Sequence, residues 1–259
     1  MTQYIILRII EKIEEVGQYF VFLGKVFKKS VARPIRWHLL INEIELLGVN
    51  SVPVILLAGL AIGMIFALQS VVLLQPFQAE IGTGAGVAVA LAQELAPIIT
   101  TLMLIAKNGS AMAAELGTME VTEQIDALES MSIDPVHYLV VPRVCASILV
   151  FPILTMLANI VGSLGSYFIS TQLYGIDSAS YIHYMFDVLK VADITIGLIK
   201  SVVMGFMVST ISCFFGLHVT QGAKGVGEGA TKAVVTSSVA ILVADYILIT
   251  IMRPIFFGR

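Results

Sequence analysis

Charge is what this chain has least of. Its 259 residues include 15 basic and 18 acidic side chains, where an ordinary soluble domain of that length, at roughly a quarter charged, carries about 65. Apolar residues make up 58% of the chain and the mean hydropathy is +0.94. A soluble enzyme and a disordered chain are excluded on that balance. The net charge of −3 excludes a basic nucleic-acid binder. Cysteine is scarce too. Cys145 and Cys213 both lie in apolar tracts, so no disulfide framework is expected. Histidine is thinly spread, and His38, His137, His183 and His218 offer no pair one helical turn apart for a zinc protease. Asp245 is the one central membrane aspartate, where an aspartyl protease needs two. No Gly-x-Ser-x-Gly elbow occurs, and no catalytic or metal site is expected. An intramembrane enzyme is the distant alternative. Nor is there a signal-peptide pattern, because Glu11, Glu14 and Glu15 interrupt the first apolar stretch.

What is present is long uncharged sequence between charged islands. Twelve of the 33 charges fall in residues 1–50, two in 51–106 and eight in 107–143. A bilayer core of about 30 Å takes about 20 apolar helical residues. The tracts 52–74, 85–106, 144–171, 194–219 and 233–252 meet that need, so five transmembrane helices and an all-α integral membrane fold are expected. Glu94 is the sole charge in the second tract. The third has none, and its 28 residues must tilt or extend beyond the hydrocarbon. Lys200 lies near the start of the fourth, where it is expected to snorkel. The chain reads as one domain, 1–259, with an N-terminal region over 1–47 and a transmembrane core over 48–252.

Lys and Arg are asymmetric. Residues 1–51, 107–143 and 220–232 hold eleven of the fifteen, and the alternate connections hold three. The positive-inside rule places the N-terminus and the 107–143 loop in the cytoplasm and, with five spans, the C-terminus outside. In the N-terminal region Ile6, Ile9, Ile10, Ile13, Val16, Phe20, Leu23 and Phe27 recur at helical spacing. Arg8, Glu11, Lys12, Glu15 and Gln18 occupy other positions, and Lys25, Lys28 and Lys29 follow. This predicts an amphipathic helix in the cytoplasmic interface. The competing reading is a cytoplasmic helix packed on a partner.

Gly59-Leu-Ala-Ile-Gly63 puts two glycines on one face of the first span, which lets another backbone approach. Phe66, Gln69 and Leu73 share a face of that helix, and Leu91, Glu94 and Leu95 share one on the next. A carboxylate within a span rarely faces lipid. Glu94 is therefore either a structural partner between helices or a polar element of a substrate cavity, which Gln69 could share. Pro97 frees a backbone carbonyl beside it, which favours an irregular, cavity-lining site. In the loop that follows, Met112, Leu116, Met119, Ile125 and Leu128 alternate with Glu115, Glu120, Glu123, Asp126 and Glu129. Thr122 is placed to cap a helix starting at Glu123, and Pro135 bounds its far end. Such a helix is either a solvated face or a segment that docks into a groove on a soluble partner.

The run Lys107-Asn-Gly-Ser-Ala-Met-Ala-Ala-Glu-Leu-Gly-Thr-Met with Thr122-Glu-Gln-Ile-Asp-Ala-Leu resembles the signature of the MlaE/YrbE permeases, membrane subunits of ABC transporters that work with MCE-domain lipid-binding proteins. The resemblance continues in Gly48-Val-Asn-Ser-Val-Pro53, in Gly197-Leu-Ile-Lys-Ser201 and from Gly222-Ala-Lys-Gly-Val-Gly227 through Asp245. It covers about residues 48–252. It implies a homodimer with an interfacial helix and five spans per subunit. It also implies a coupling helix between spans two and three, at about 115–128, that seats on an ATPase. Glu115, Met119, Glu123, Gln124, Asp126 and Leu128 fall in that segment. A lipid cavity at the dimer interface maps onto Phe66, Gln69, Leu73, Leu91, Glu94 and Leu95. The implied partners are an ABC ATPase that binds ATP and Mg, an MCE-domain protein, and a small STAS-type cytoplasmic subunit.

Two positions depart from the family pattern. Ala106-Lys107 stands where Gly-Arg is common, and Gln93 stands where some members carry Arg before the glutamate, which puts a phosphate contact there in doubt. The glycine-rich stretch 222–232 lacks the order of a phosphate loop and follows an apolar span rather than a strand. It is expected to be a flexible cytoplasmic loop. With no nucleotide site or cofactor of its own, the chain is expected to be a lipid permease in the cell inner membrane, powered by a partner. Phospholipid is the expected cargo, in maintenance of outer-membrane lipid asymmetry, and a sterol or another hydrophobic cargo is the alternative.

Overall fold

A computed structural model describes the backbone of residues 2–30, 37–220 and 222–258, with side chains from Ile13 onward. Among the described residues the regular secondary structure is all helical, with no strand, and five helices are long and apolar enough to cross a membrane: Trp37–Phe77, Glu80–Val121, Val136–Leu173, Val191–Leu217 and Gly222–Phe257. Four of them contain the expected tracts and extend beyond both ends, while the fourth in order is shifted three residues earlier at its start and two at its end. At 1.5 Å per residue, the 42 residues of span two reach about 60 Å, twice the hydrocarbon thickness.

The first helix, α1 (Thr2–Ser30), has two apolar faces. Ile13, Val16, Phe20 and Phe27 of the predicted stripe are exposed, as an interfacial helix requires. Phe22 and Val26, outside that stripe, are buried. They dock α1 on the bundle: the Phe22 and Phe214 rings lie 5.7 Å apart, and the Tyr19 and Thr210 hydroxyls are hydrogen-bonded at 2.9 Å. The helix therefore packs one apolar face on the protein and leaves the other exposed. The side chains of Ile6, Arg8, Ile9, Ile10, Glu11 and Lys12 lie outside the described residues.

Span one is α2 (Trp37–Leu47) and α3 (Val52–Leu74), joined by a tight turn over Val49–Ser51. Span two is built of α4 (Thr83–Ala90), α5 (Ala96–Leu104) and α6 (Ser110–Val121). Wide π-turns at Leu91–Leu95 and Ile105–Gly109 separate them. Next come the short α7 (Gln124–Ser130), α8 (Val141–Phe168) of span three, α9 (Ser178–Val188), and the last two spans α10 (Val191–Leu217) and α11 (Gly222–Phe257).

The α3–α8 crossing bears out the glycine reading. A Cβ on Gly63 would lie 1.9 Å from the Gly162 carbonyl oxygen, so only hydrogen fits and the backbones touch. The main core, including Ile55, Leu104, Phe151, Met204 and Ile241, fills the bundle centre. A second cluster at the α7 end joins Phe22 and Val26 to Ile125, Leu139 and Phe214. At the opposite end α9 is pinned by Tyr181, whose ring lies over Gly84 and whose hydroxyl is hydrogen-bonded to that of Ser166 at 2.9 Å.

Three local expectations change. Thr122 caps nothing: its hydroxyl donates back to the Thr118 carbonyl at 2.8 Å, and α7 begins at Gln124 after a left-handed Glu123 (φ 58°). The stretch 222–232 is not a flexible loop but the first three turns of α11. Its Gly225 and Gly229 are buried, and Gly229 packs close to Val219. Lys200 does not snorkel. Because α10 starts at Val191, Lys200 is more than two turns deep, with no solvent exposure.

Candidate functional site

Pro97 has no amide hydrogen, so the Gln93 carbonyl one turn earlier loses its helical partner. The chain widens there into the Leu91–Leu95 π-turn, a form that recurs at functional sites. Lys200 of α10 takes the freed acceptor, donating from Nζ to the Gln93 oxygen at 3.0 Å. The helices are close enough for this because of Gly197, where a Cβ would lie 1.9 Å from the Ala92 oxygen.

The same ammonium lies 2.5 Å from Glu94 Oε2 and 2.6 Å from Asp245 Oδ1 of α11. One cation thus joins spans two, four and five through two carboxyl groups. Burial within the cluster is graded, from the 0% exposed Lys200 side chain through Asp245 at 10% to Glu94 at 33%. Removing the lysine from such a cluster leaves its carboxylates uncompensated, at a cost of about 3–5 kcal/mol. Gln93 is committed elsewhere, donating from Nε2 to Asp193 Oδ1 at 2.5 Å. Asp193 also accepts from the Lys190 amide at 2.8 Å at the start of α10.

Of the residues expected to line a cavity, Gln69 and Leu73 are exposed on α3, and Leu73 retains 70% of its surface. Phe66 and Leu95 are half-buried. Leu91 is 1% exposed and packs against Gly162. Gln69 forms no hydrogen bond with Glu94 among the described residues. The slit among Ile55, Gly59, Ile62, Leu91, Thr100 and Ala158 holds about 10 Å³, room for at most one water. A single chain therefore encloses no lipid-sized space there; the Gln69–Leu73 face opens outward.

In the expected coupling segment Glu123, Gln124 and Asp126 are exposed, while Met119 and Leu128 pack on the cluster around Ile125. Gln124 Nε2 donates to the Thr122 hydroxyl at 3.0 Å. Glu115 is drawn into a second ion cluster that sequence reasoning missed. Buried Arg143 of α8 lies 3.1 Å from Glu115 Oε2 and 3.4 Å from Glu43 Oε1 of α2. Its signal in the sequence was one arginine at the edge of an otherwise uncharged tract. Lys29 at the end of α1 pairs with Asp134 after α7, and Asp134 Oδ1 also accepts the Val136 amide at 3.0 Å. No His, Cys, Asp and Glu grouping suited to a metal occurs among the described residues.

The stretch from span one through Asp245 is similar in sequence to known proteins. The family described as Permease MlaE matches residues 40–251. This chain belongs to the MlaE permease family. It is 36% identical over 241 residues to a probable ABC transporter permease protein of Rickettsia conorii, covering 93% of each chain. It is 36% identical over 247 residues to the intermembrane phospholipid transport system permease protein MlaE of Haemophilus influenzae, covering 92% of this chain and 95% of that one. Protein TRIGALACTOSYLDIACYLGLYCEROL 1, chloroplastic, of Arabidopsis thaliana is 39% identical over 228 residues, 88% of this chain and 65% of its own length.

Proposed function

We propose that this chain is the permease subunit of an ABC transporter that moves lipid between the inner membrane and a periplasmic MCE-domain protein. The observation that carries the reading is the open, mostly apolar α3 face, with exposed Leu73 and Gln69, beside a bulged span whose Glu94 is part-open. A second copy facing this surface closes an apolar chamber with few polar groups, which suits acyl chains better than ions. Phe66, Gln69, Leu73, Leu91, Glu94 and Leu95 are the residues assigned to it, the buried Leu91 as its backing. The cargo that fits is a phospholipid, as in the Haemophilus relative's name, and the role is maintenance of outer-membrane lipid asymmetry.

Energy comes from a partner ATPase that binds ATP and Mg, with a STAS-type subunit as a further cytoplasmic partner. The ATPase seats on α7 through Glu123, Gln124 and Asp126, with Glu115, Met119 and Leu128 fixing the segment behind them. The N-terminus and α7 are then cytoplasmic and the C-terminus periplasmic. Closure of two ATPase subunits displaces α7. Because α6 is the end of span two and joins α5 through the Ile105–Gly109 π-turn, the displacement reaches Glu94 and reshapes the chamber.

The test is a photoreactive side chain at Leu73 in the assembled complex, followed by mass spectrometry of the adduct. A phospholipid adduct that turns over with ATP supports the reading. An active complex with no lipid adduct at Leu73 moves the chamber elsewhere, and a sterol adduct replaces the cargo.

A further inference from the structure

At the α7 end of the bundle a separate pocket of about 170 Å³ opens between α1, the end of α10 and the start of α11. It lies in a different part of the fold from the cargo face and does not depend on that reading. The volume is below the several hundred Å³ of sites for drug-sized ligands, so the occupant is a small group or one end of a longer molecule. The wall is polar and of mixed sign: Glu15 and Gln18 from α1, His218 from α10, Glu228 and Lys232 from α11, over an aromatic floor that includes Phe215. His218 Nδ1 lies 2.8 Å from the Phe214 carbonyl oxygen. That bond requires a proton on Nδ1, and in the neutral ring Nε2 is then an acceptor. Glu228 is only loosely engaged by Lys224, at 3.8 Å.

The acceptors Glu15, Glu228 and His218 suit an ammonium group, and Lys232 suits a phosphate. One wall of the pocket leads onto an apolar helix face. From Glu228 and Lys232 the same face of α11 continues one turn at a time through Val235, Val239, Leu242 and Tyr246, and all four are exposed. A zwitterionic group followed by an apolar track is the outline of a phospholipid aligned with a helix.

We propose that this pocket binds the headgroup of a phospholipid bearing a primary amine, such as phosphatidylethanolamine, with its acyl chain on the α11 stripe. The lipid is a resident one, wedged between the interfacial helix and the last span, and not the transported molecule.

The test places benzoylphenylalanine at Val235 of the full chain, in nanodiscs of phosphatidylethanolamine mixed with phosphatidylglycerol. Irradiation is expected to capture phosphatidylethanolamine about tenfold above its share of the bilayer, a difference of about 1.4 kcal/mol. Lys232→Gln combined with Glu15→Gln is expected to abolish the preference, and Glu228→Gln alone to reduce it. A melting curve matching that of the parent confirms that each variant is folded. Adducts in proportion to bilayer composition, or a preference that survives the double substitution, overturn the proposal. So does an adduct with a second copy of the chain. Loss of the preference on adding inorganic phosphate assigns the pocket to a free anion and also overturns it.

Discussion

Two ion clusters in this molecule share one plan and differ in setting. In each, a single cation on one helix is shared by two carboxylates on two others: Glu94, Lys200 and Asp245 join spans two, four and five, while Glu43, Arg143 and Glu115 join spans one, three and the end of two. The lysine cluster includes a backbone carbonyl freed by Pro97, and its cation is completely buried. The arginine cluster sits at the α7 end, and Arg143 is anchored to its own helix by donation to the Leu139 carbonyl at 2.9 Å. A point charge suits a bulge, where it gathers three acceptors from different directions. A planar guanidinium suits a seam, where it spans two carboxylates at a fixed separation. The first holds an irregular backbone in place; the second holds three regular helices in register.

That contrast can be broken by substitution. Lys200→Met leaves Glu94 and Asp245 facing each other without a counter-charge and is expected to cost about 3–5 kcal/mol, read as the largest fall in thermal midpoint in the series. If Lys200→Met melts like the parent, the ammonium does not hold spans two, four and five together. Arg143→Lys keeps the charge but loses the fork, and a cost of about 1–3 kcal/mol is expected. Equal losses for Lys200→Met and Arg143→Lys would erase the distinction between bulge and seam.

Glu115→Gln is expected to cost at most about 1 kcal/mol, because its side chain is 48% exposed and solvent screens the pair. It separates helix register from coupling: ATPase stimulation should survive Glu115→Gln but fall in the charge reversals Glu123→Lys and Asp126→Lys. Retained stimulation in the reversals would remove α7 as the ATPase seat.

The smallest effect concerns α9. Asp177 accepts the Ser180 amide at 2.8 Å, and that bond holds its carboxyl below the ordinary aspartate value. A depressed folded-state value means the cap is at full strength above the unfolded value and is lost as pH falls through the folded one. Amide exchange in α9 should therefore rise at acid pH in the parent and be already raised, without that pH dependence, in Asp177→Ala. An Asp177→Ala profile identical to the parent's would show that Tyr181 alone secures the helix.

How much of this could be read from sequence depends on distance along the chain. The five spans were legible because uncharged length is a local property. The carbonyl freed near Glu94 was legible because Pro97 removes a donor four residues away. Glu94, Lys200 and Asp245 were each visible as solitary charges, but their meeting was not, because it depends on how three helices are phased. Lys200 was misjudged for a definite reason: the apolar tract starts at residue 194 but the helix starts at Val191, so a lysine that looked terminal is internal. The second face of α1 was hidden because Phe22 and Val26 flank a stronger stripe. The glycines of 222–232 suggest a loop until Val219 is seen against Gly229, where a side chain would not fit.

Span two has one further property, set by its two π-turns. Each takes in one residue more than a regular turn, and one residue is about 100° of rotation. The helix is therefore a screw with two dislocations, and residues on either side of each are out of phase with a single 3.6-residue count. Leu91, buried against α8, Glu94, paired across to α10 and α11, and Glu115, reaching back to Arg143, face three different directions along one continuous rod. A wheel drawn through 83–121 as one uniform helix would put side chains on the wrong walls.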